Sequence, residues 1–233
     1  RDFPDIISDT DSTSRGREVE TKAVMNFQEQ RRFSLSANFH GGAVVANYPW
    51  DSKYELHPLD HLVKNFSFQY AQLNPEMRSS RQFSGGITNG ARWYVVRGGM
   101  QDWSYFWHDD LQITIELSRQ KWPRYSEIPA FYQSNRDSMF KYMSFIHQGA
   151  GFKFNEKNAE GHVIIDQTSP TTKSLGRFSY SRSEFYKVLP VGDYTFKIFK
   201  KSRRSQRSTK MKEIRVSVHD SVILQNGNYT TID

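Results

Sequence analysis

The feature that most constrains the fold is a change of periodicity at Gly149-Ala150-Gly151. Before it, helix-period apolar stripes alternate with period-two runs, the pattern of an α/β unit. After it come short period-two runs at 151–155, 162–167, 185–189, 194–199, 213–218 and 222–224, separated by polar turns. Short strands at that spacing predict an all-β sandwich. The expected domains are therefore 1–148 and 149–233.

Three helices are expected in the first domain. Residues 18–30 carry acids in a first turn and set Val19, Ala23 and Phe27 toward a core. Pro58 opens a second, striped by Leu59, Leu62, Val63, Phe66, Tyr70 and Leu73. Ser126 caps a third that runs to about His147, with Ile128, Phe131, Met139, Met143 and Ile146 inward. Residues 1–15 and 78–90 read as loops. The ring-dense stretch 87–105, around Gln101 and Asp102, reads as a loop that forms either a pocket wall or an aromatic mini-core.

Two strands carry the first chemical candidates. Phe33, Leu35, Ala37 and Phe39 alternate with Ser34, Ser36, Asn38 and His40, so His40 ends the polar face of a strand. Gly41 and Gly42 follow, where a backbone can turn sharply or admit another group. His40 is then either part of a ligand site or a strand-end imidazole bonded to a loop. In 112–118, Ile113, Ile115 and Leu117 oppose Thr114 and Glu116. A glutamate in so apolar a strand is either salt-bridged or placed for chemistry. Asp51, behind Pro49, is a solvated turn residue or the charged floor of a pocket.

Composition narrows the classes. With 36% hydrophobic and 15% aromatic residues the chain can build real cores. The net charge of +7 is local, because seven of the 32 bases lie between Lys200 and Lys212. No aromatic residue interleaves them, which favours a solvated hairpin turn and argues against a nucleic-acid partner. The absence of cysteine excludes disulfides, thiolate metal sites and a cysteine nucleophile. No apolar run is long enough to span a bilayer. The sequons at Asn65 and Asn228 matter only in a eukaryotic secreted protein.

Four strings in one order carry a family resemblance: His40-Gly41-Gly42 through Asn47-Tyr48-Pro49-Trp50-Asp51, Ile87-Thr88-Asn89-Gly90-Ala91 through Trp93-Tyr94, Gly98-Gly99-Met100-Gln101-Asp102-Trp103, and Thr114-Ile115-Glu116-Leu117-Ser118. Together they resemble the zinc metallocarboxypeptidases of the subfamily of carboxypeptidases D, E, M and N. The later Leu189-Pro190-Val191-Gly192-Asp193-Tyr194 is similar to the transthyretin-like domain of that subfamily. The implied fold is a mixed sheet with flanking helices followed by an all-β transthyretin-like sandwich.

The resemblance also implies roles. His40 would be a zinc ligand, in the His₂Glu set known for such enzymes. Glu116 would be the general base and then acid. Arg1 and Tyr94 would hold the substrate's terminal carboxylate. Asp51 and Gln101 would line the pocket that selects a C-terminal Lys or Arg, with Ser52, in place of a second aspartate, weakening that preference. The other two zinc ligands of the family come from a His-x-x-Glu motif, and none of the seven histidines here is followed by Glu three residues on. The expectation is a C-terminal portion of a larger secreted or periplasmic monomer, inactive and unable to bind zinc tightly without the N-terminal half of its catalytic domain. Its partners would be peptide or protein C-termini with basic residues. The rival is a non-catalytic binding protein on the same fold.

Overall fold

The computed structural model describes residues 1–202, 207–219 and 229–232, which form two compact units, Arg1–Phe145 and Ile146–Asp233. The strand expected at 222–224, the Asn228 sequon and part of the basic run lie outside the described residues.

The first unit is a mixed four-stranded sheet with helices. Its elements are α1 (Val19–Arg31), β1 (Leu35–His40), β2 (Ala43–Tyr48), α2 (Asp60–Leu73), α3 (Pro75–Arg78), β3 (Ile87–Asn89), α4 (Gly90–Trp93), α5 (Met100–His108), β4 (Leu111–Ser118) and α6 (Ile128–Ser144). The spatial order is β1-β4-β2-β3. β1 runs parallel to β4, β4 antiparallel to β2, and β2 parallel to β3. Parallel neighbours need a long crossover, and residues 41–110 supply it between β1 and β4.

β4 is central, and Ile113 and Ile115 are fully buried there. The α2 stripe buries Leu62, Val63, Phe66 and Tyr70, and Phe66 stacks on Phe145 with ring centroids 4.0 Å apart. Apolar burial of this kind supplies most of a helix's hold on its domain.

Two helices face otherwise than their apolar residues suggest. α1 buries Thr21, Met25 and Gln28, while Val19 is 78% and Phe27 54% exposed. The cause is polar: the Gln28 amide donates at 2.8 Å to Asp110, a buried carboxylate that only a polar face can satisfy. α6 buries Asn135, Ser138 and Tyr142 while Ile128 and Met143 are exposed, because the Asn135 carbonyl accepts from Tyr70 and Asn74. Ser126 is not its cap; it lies in a 3₁₀ turn, Tyr125–Glu127, closed by Arg124 and Glu127. The expected loops also hold order. β3 and α3 fall in or beside 78–90, and Gln101 and Asp102 open α5. α5 buries Gln101, Asp102, Trp103, Ser104 and Tyr105 in succession.

The second unit contains β5 (Gly149–Phe154), β6 (Gly161–Ser169), β7 (Lys173–Tyr180), β8 (Glu184–Val188), β9 (Gly192–Lys201), β10 (Ser208–Val218) and β11 (Tyr229–Ile232). They form two sheets, β10-β9-β6-β7 and β11-β5-β8, around one core that includes Phe152, Val163, Ile165, Leu189, Phe196 and Ile198. β7 escapes the alternation because only Phe178 and Tyr180 of it are buried. Lys200 and Lys201 end β9 and Lys210 and Lys212 lie in β10, so four of the seven bases expected in a hairpin turn stand on strands instead.

Phe66→Ala should destabilise the first unit by about 3–5 kcal/mol in chemical unfolding. Val19→Ala should change it by less than about 0.5 kcal/mol; a large loss at Val19 would contradict the polar facing of α1.

Candidate active site

β1 and β4 fix the chemical pair. Parallel register sets His40 opposite Glu116, and side chains at paired positions leave the same face. His40 Nδ1 lies 3.1 Å from Glu116 Oε2. The two differ in exposure: the imidazole side chain is 57% exposed, the carboxylate 7%. Glu116 is thus a sheltered acid whose partner reaches into open space. Gly41 is required behind His40, since a Cβ there would stand 2.8 Å from the Gln120 carbonyl oxygen.

The pair opens onto a cavity of about 650 Å³ that is also lined by Arg1, Asp51, Tyr94 and Gln101. All six residues named from the sequence therefore share one cavity. Tyr94 is half exposed on its wall, with the Arg1 guanidinium 5.7 Å above its ring. This leaves a cation and a phenol beside the Glu116–His40 pair, a suitable setting for a carboxylate.

Asp51 forms the floor. It is 7% exposed, and its Oδ1 accepts from Asn47 Nδ2 at 2.9 Å and Gln101 Nε2 at 3.0 Å. Its main chain is held on both sides, by Val96 N–H donating to its carbonyl and by its own N–H donating to Asp102. A Cβ at Gly90 would overlap Asp51 Oδ1, so only glycine lets α4 close over the carboxylate. Burial, with the Asp102 charge second, pushes the Asp51 carboxyl up to about 7; Asn47 and Arg1 oppose that rise.

Neither alternation nor spacing singles out Asn47, Asp102 or Lys121. Asn47 and Lys121 line the cavity, while Asp102 is buried behind Asp51. The one available signal for Asp102 is an acid embedded, like Asp51, in an apolar ring-dense stretch.

For a metal, His40 offers a ring nitrogen beside a carboxylate, a pairing common around zinc. Among the described residues no group of three or more His, Asp or Glu is placed to hold one. These residues fit one corner of a zinc site and leave the other ligands to be supplied elsewhere.

The sequence model of the zinc carboxypeptidase family matches residues 2–138. Carboxypeptidase M of Mus musculus is 33% identical over 214 residues, covering 85% of this chain and 48% of that protein. Carboxypeptidase SOL1 of Arabidopsis thaliana is 39% identical over 203 residues, 82% of this chain and 40% of that protein. Carboxypeptidase D of Homo sapiens is 34% identical over 216 residues, 83% and 15% respectively. The chain spans about half the length, or less, of the curated relatives it matches.

Burial of Asp51 has a consequence for stability. Its carboxyl is raised from 3.8 to about 7, so the stability it contributes is complete below about pH 4 and lost as pH rises through about 7. Asp51→Asn should therefore gain on the native chain by at least about 1 kcal/mol between pH 4 and 8. Denaturant midpoints across that range read the difference; a flat difference would show that Asp51 is ionised throughout.

Proposed function

The chain belongs to the zinc carboxypeptidase family, and on that premise we propose that it carries the proton carrier, one metal ligand and the specificity recess of an exopeptidase that removes C-terminal Lys or Arg from peptides. The convergence of Arg1, His40, Asp51, Tyr94, Gln101 and Glu116 on one cavity is the observation that carries the reading, since these residues come from six separate segments.

Zinc, the metal of this family, supplies Lewis-acid polarisation of water and of the scissile carbonyl when bound. His40 would be one of its ligands. Glu116 takes a proton from the attacking water and returns it to the leaving amine. Its low exposure keeps bulk water from that proton, while His40 holds one carboxylate oxygen in place.

Arg1 and Tyr94 receive the terminal carboxylate, which confines cleavage to the last peptide bond. The terminal side chain then extends toward Asp51. A cationic group offsets the buried carboxylate, whereas an apolar one leaves it unpaired at a cost of about 2–5 kcal/mol when ionised. Gln101 spends its amide on Asp51 Oδ1, which leaves Oδ2 for the guest. The proposal includes the secreted or periplasmic setting. Among the described residues no helix is long and apolar enough to cross a membrane.

With zinc and its remaining ligands supplied alongside this chain, the protein should show a higher kcat/KM on a peptide ending in Arg than on one ending in Phe. Asp51→Gly should remove most of that ratio, and an unchanged ratio would reject the recess. Glu116→Gln should lower kcat by about 10²–10⁴ while Arg-terminated peptides still bind. A protein that has zinc and its remaining ligands in place, and binds such peptides but never cleaves them, would instead be a binding protein of the same fold.

A further inference from the structure

Asp102 sits in the first turn of α5, 2% exposed, and is not among the residues lining the cavity. Its carboxylate is nevertheless tied to the recess floor at every point. Asp51 N–H donates to Oδ1 at 2.9 Å and Oδ2 at 3.1 Å. Ser52 N–H and Ser52 Oγ donate to Oδ2 at 2.9 and 2.6 Å. The recess therefore holds two buried carboxylates, joined through the backbone of Asp51 and Ser52, and only one of them faces a guest.

Two such groups do not both ionise freely in a dry site. Their surroundings decide which yields. Burial raises the Asp102 carboxyl as well, but the N-terminal turn of a helix, two peptide N–H donors and a hydroxyl all oppose that rise. Asp51 has two neutral side-chain amides on one oxygen. The cations near the pair are Arg1 on the Asp51 side and Lys53 on the Asp102 side. Lys53 is shared with Glu55 at 3.1 Å and stands 5.1 Å over the Trp50 ring. His40, Glu116, Tyr94 and Lys121 line the same cavity as Asp51. No cation makes a direct ion pair with either carboxylate among the described residues.

We propose that Asp102 is a positioning residue for basic-side-chain selection: it fixes the turn that aims Asp51 into the recess, and its charge makes Asp51 release a proton when a cationic side chain enters. The inference rests on the basic-terminus reading and deepens it. The proton on Asp51 passes to solvent, the guest's cation replaces it, and no covalent bond changes. Asp51, whose carboxyl stands near 7, is the group that exchanges. Preference for Lys or Arg over an uncharged residue consequently weakens as pH falls through that range and strengthens above it. An anion that was always ionised would show no such slope.

The test is a ligand-free titration of the carbon-13 carboxyl resonances. In the native protein Asp51 should titrate near 7. Asp102→Asn removes the neighbouring charge and should lower that midpoint by about one pH unit or more. Ser52→Ala weakens the hold on the Asp102 charge and should lower it by less, in the same direction. If Asp102→Asn does not fold, Ser52→Ala is read alone. Midpoints unchanged in a folded variant would make Asp102 merely structural and overturn the proposal.

Calorimetry with Nα-acetyl-arginine and Nα-acetyl-norleucine, in buffers of different ionisation enthalpy, reads selection separately. Arginine binding at pH 6 should release close to one proton per site and norleucine binding none. Equal affinities for the two at pH 8 would overturn the basic-terminus reading, and with it the selectivity role of Asp102. The titration would still report whether the two carboxylates are coupled.

Discussion

The parallel pairing of β1 with β4 is the constraint from which the site follows. Equal register puts His40 and Glu116 at one level on one face of the sheet. A parallel pair also obliges the chain to leave and return, so everything in 41–110 becomes a crossover. That crossover contains the rest of the recess: Asp51 just after β2, Tyr94 after α4, and Gln101 at the start of α5. Slippage of β1 by one residue would turn His40 to the opposite face and separate it from Glu116.

The second constraint is the cost of burying charge. Each buried acid of this unit has a different solution. Asp110 takes the Gln28 amide and the Ser36 hydroxyl, Asp102 takes peptide N–H groups, Asp51 takes side-chain amides, and Glu116 takes the His40 ring. Only the last two also face open space, so their hydrogen bonds leave capacity for a guest. Asp51 and Glu116 are held in place by these bonds while each still lines the cavity.

Much of this was legible in residue order. Alternation alone places His40 and Glu116 on polar strand faces, and an acid among apolar residues marks Asp51 and Glu116 as needing partners. The grouping of Arg1, Tyr94 and Gln101 with them was reachable through family likeness, since nothing in local pattern links positions so far apart. The facings of α1 and α6 were not legible. Apolar spacing points Val19 and Phe27 inward, but Asp110 draws the polar side of α1 to itself, and Asn135 does the same for α6. α5 hides as a loop because its glycine-rich approach masks a helix whose rings pack into the core. β7 buries too little to alternate.

The most direct check of the central claim is a crystal structure of the protein with free arginine, the product expected of the proposed cleavage. The account places the guanidinium within hydrogen-bonding distance of Asp51 Oδ2 and the carboxylate beside Arg1 and Tyr94, with Glu116 and His40 flanking the amine. Arginine bound with its guanidinium turned to solvent, or seated elsewhere while this cavity stays empty, would contradict it.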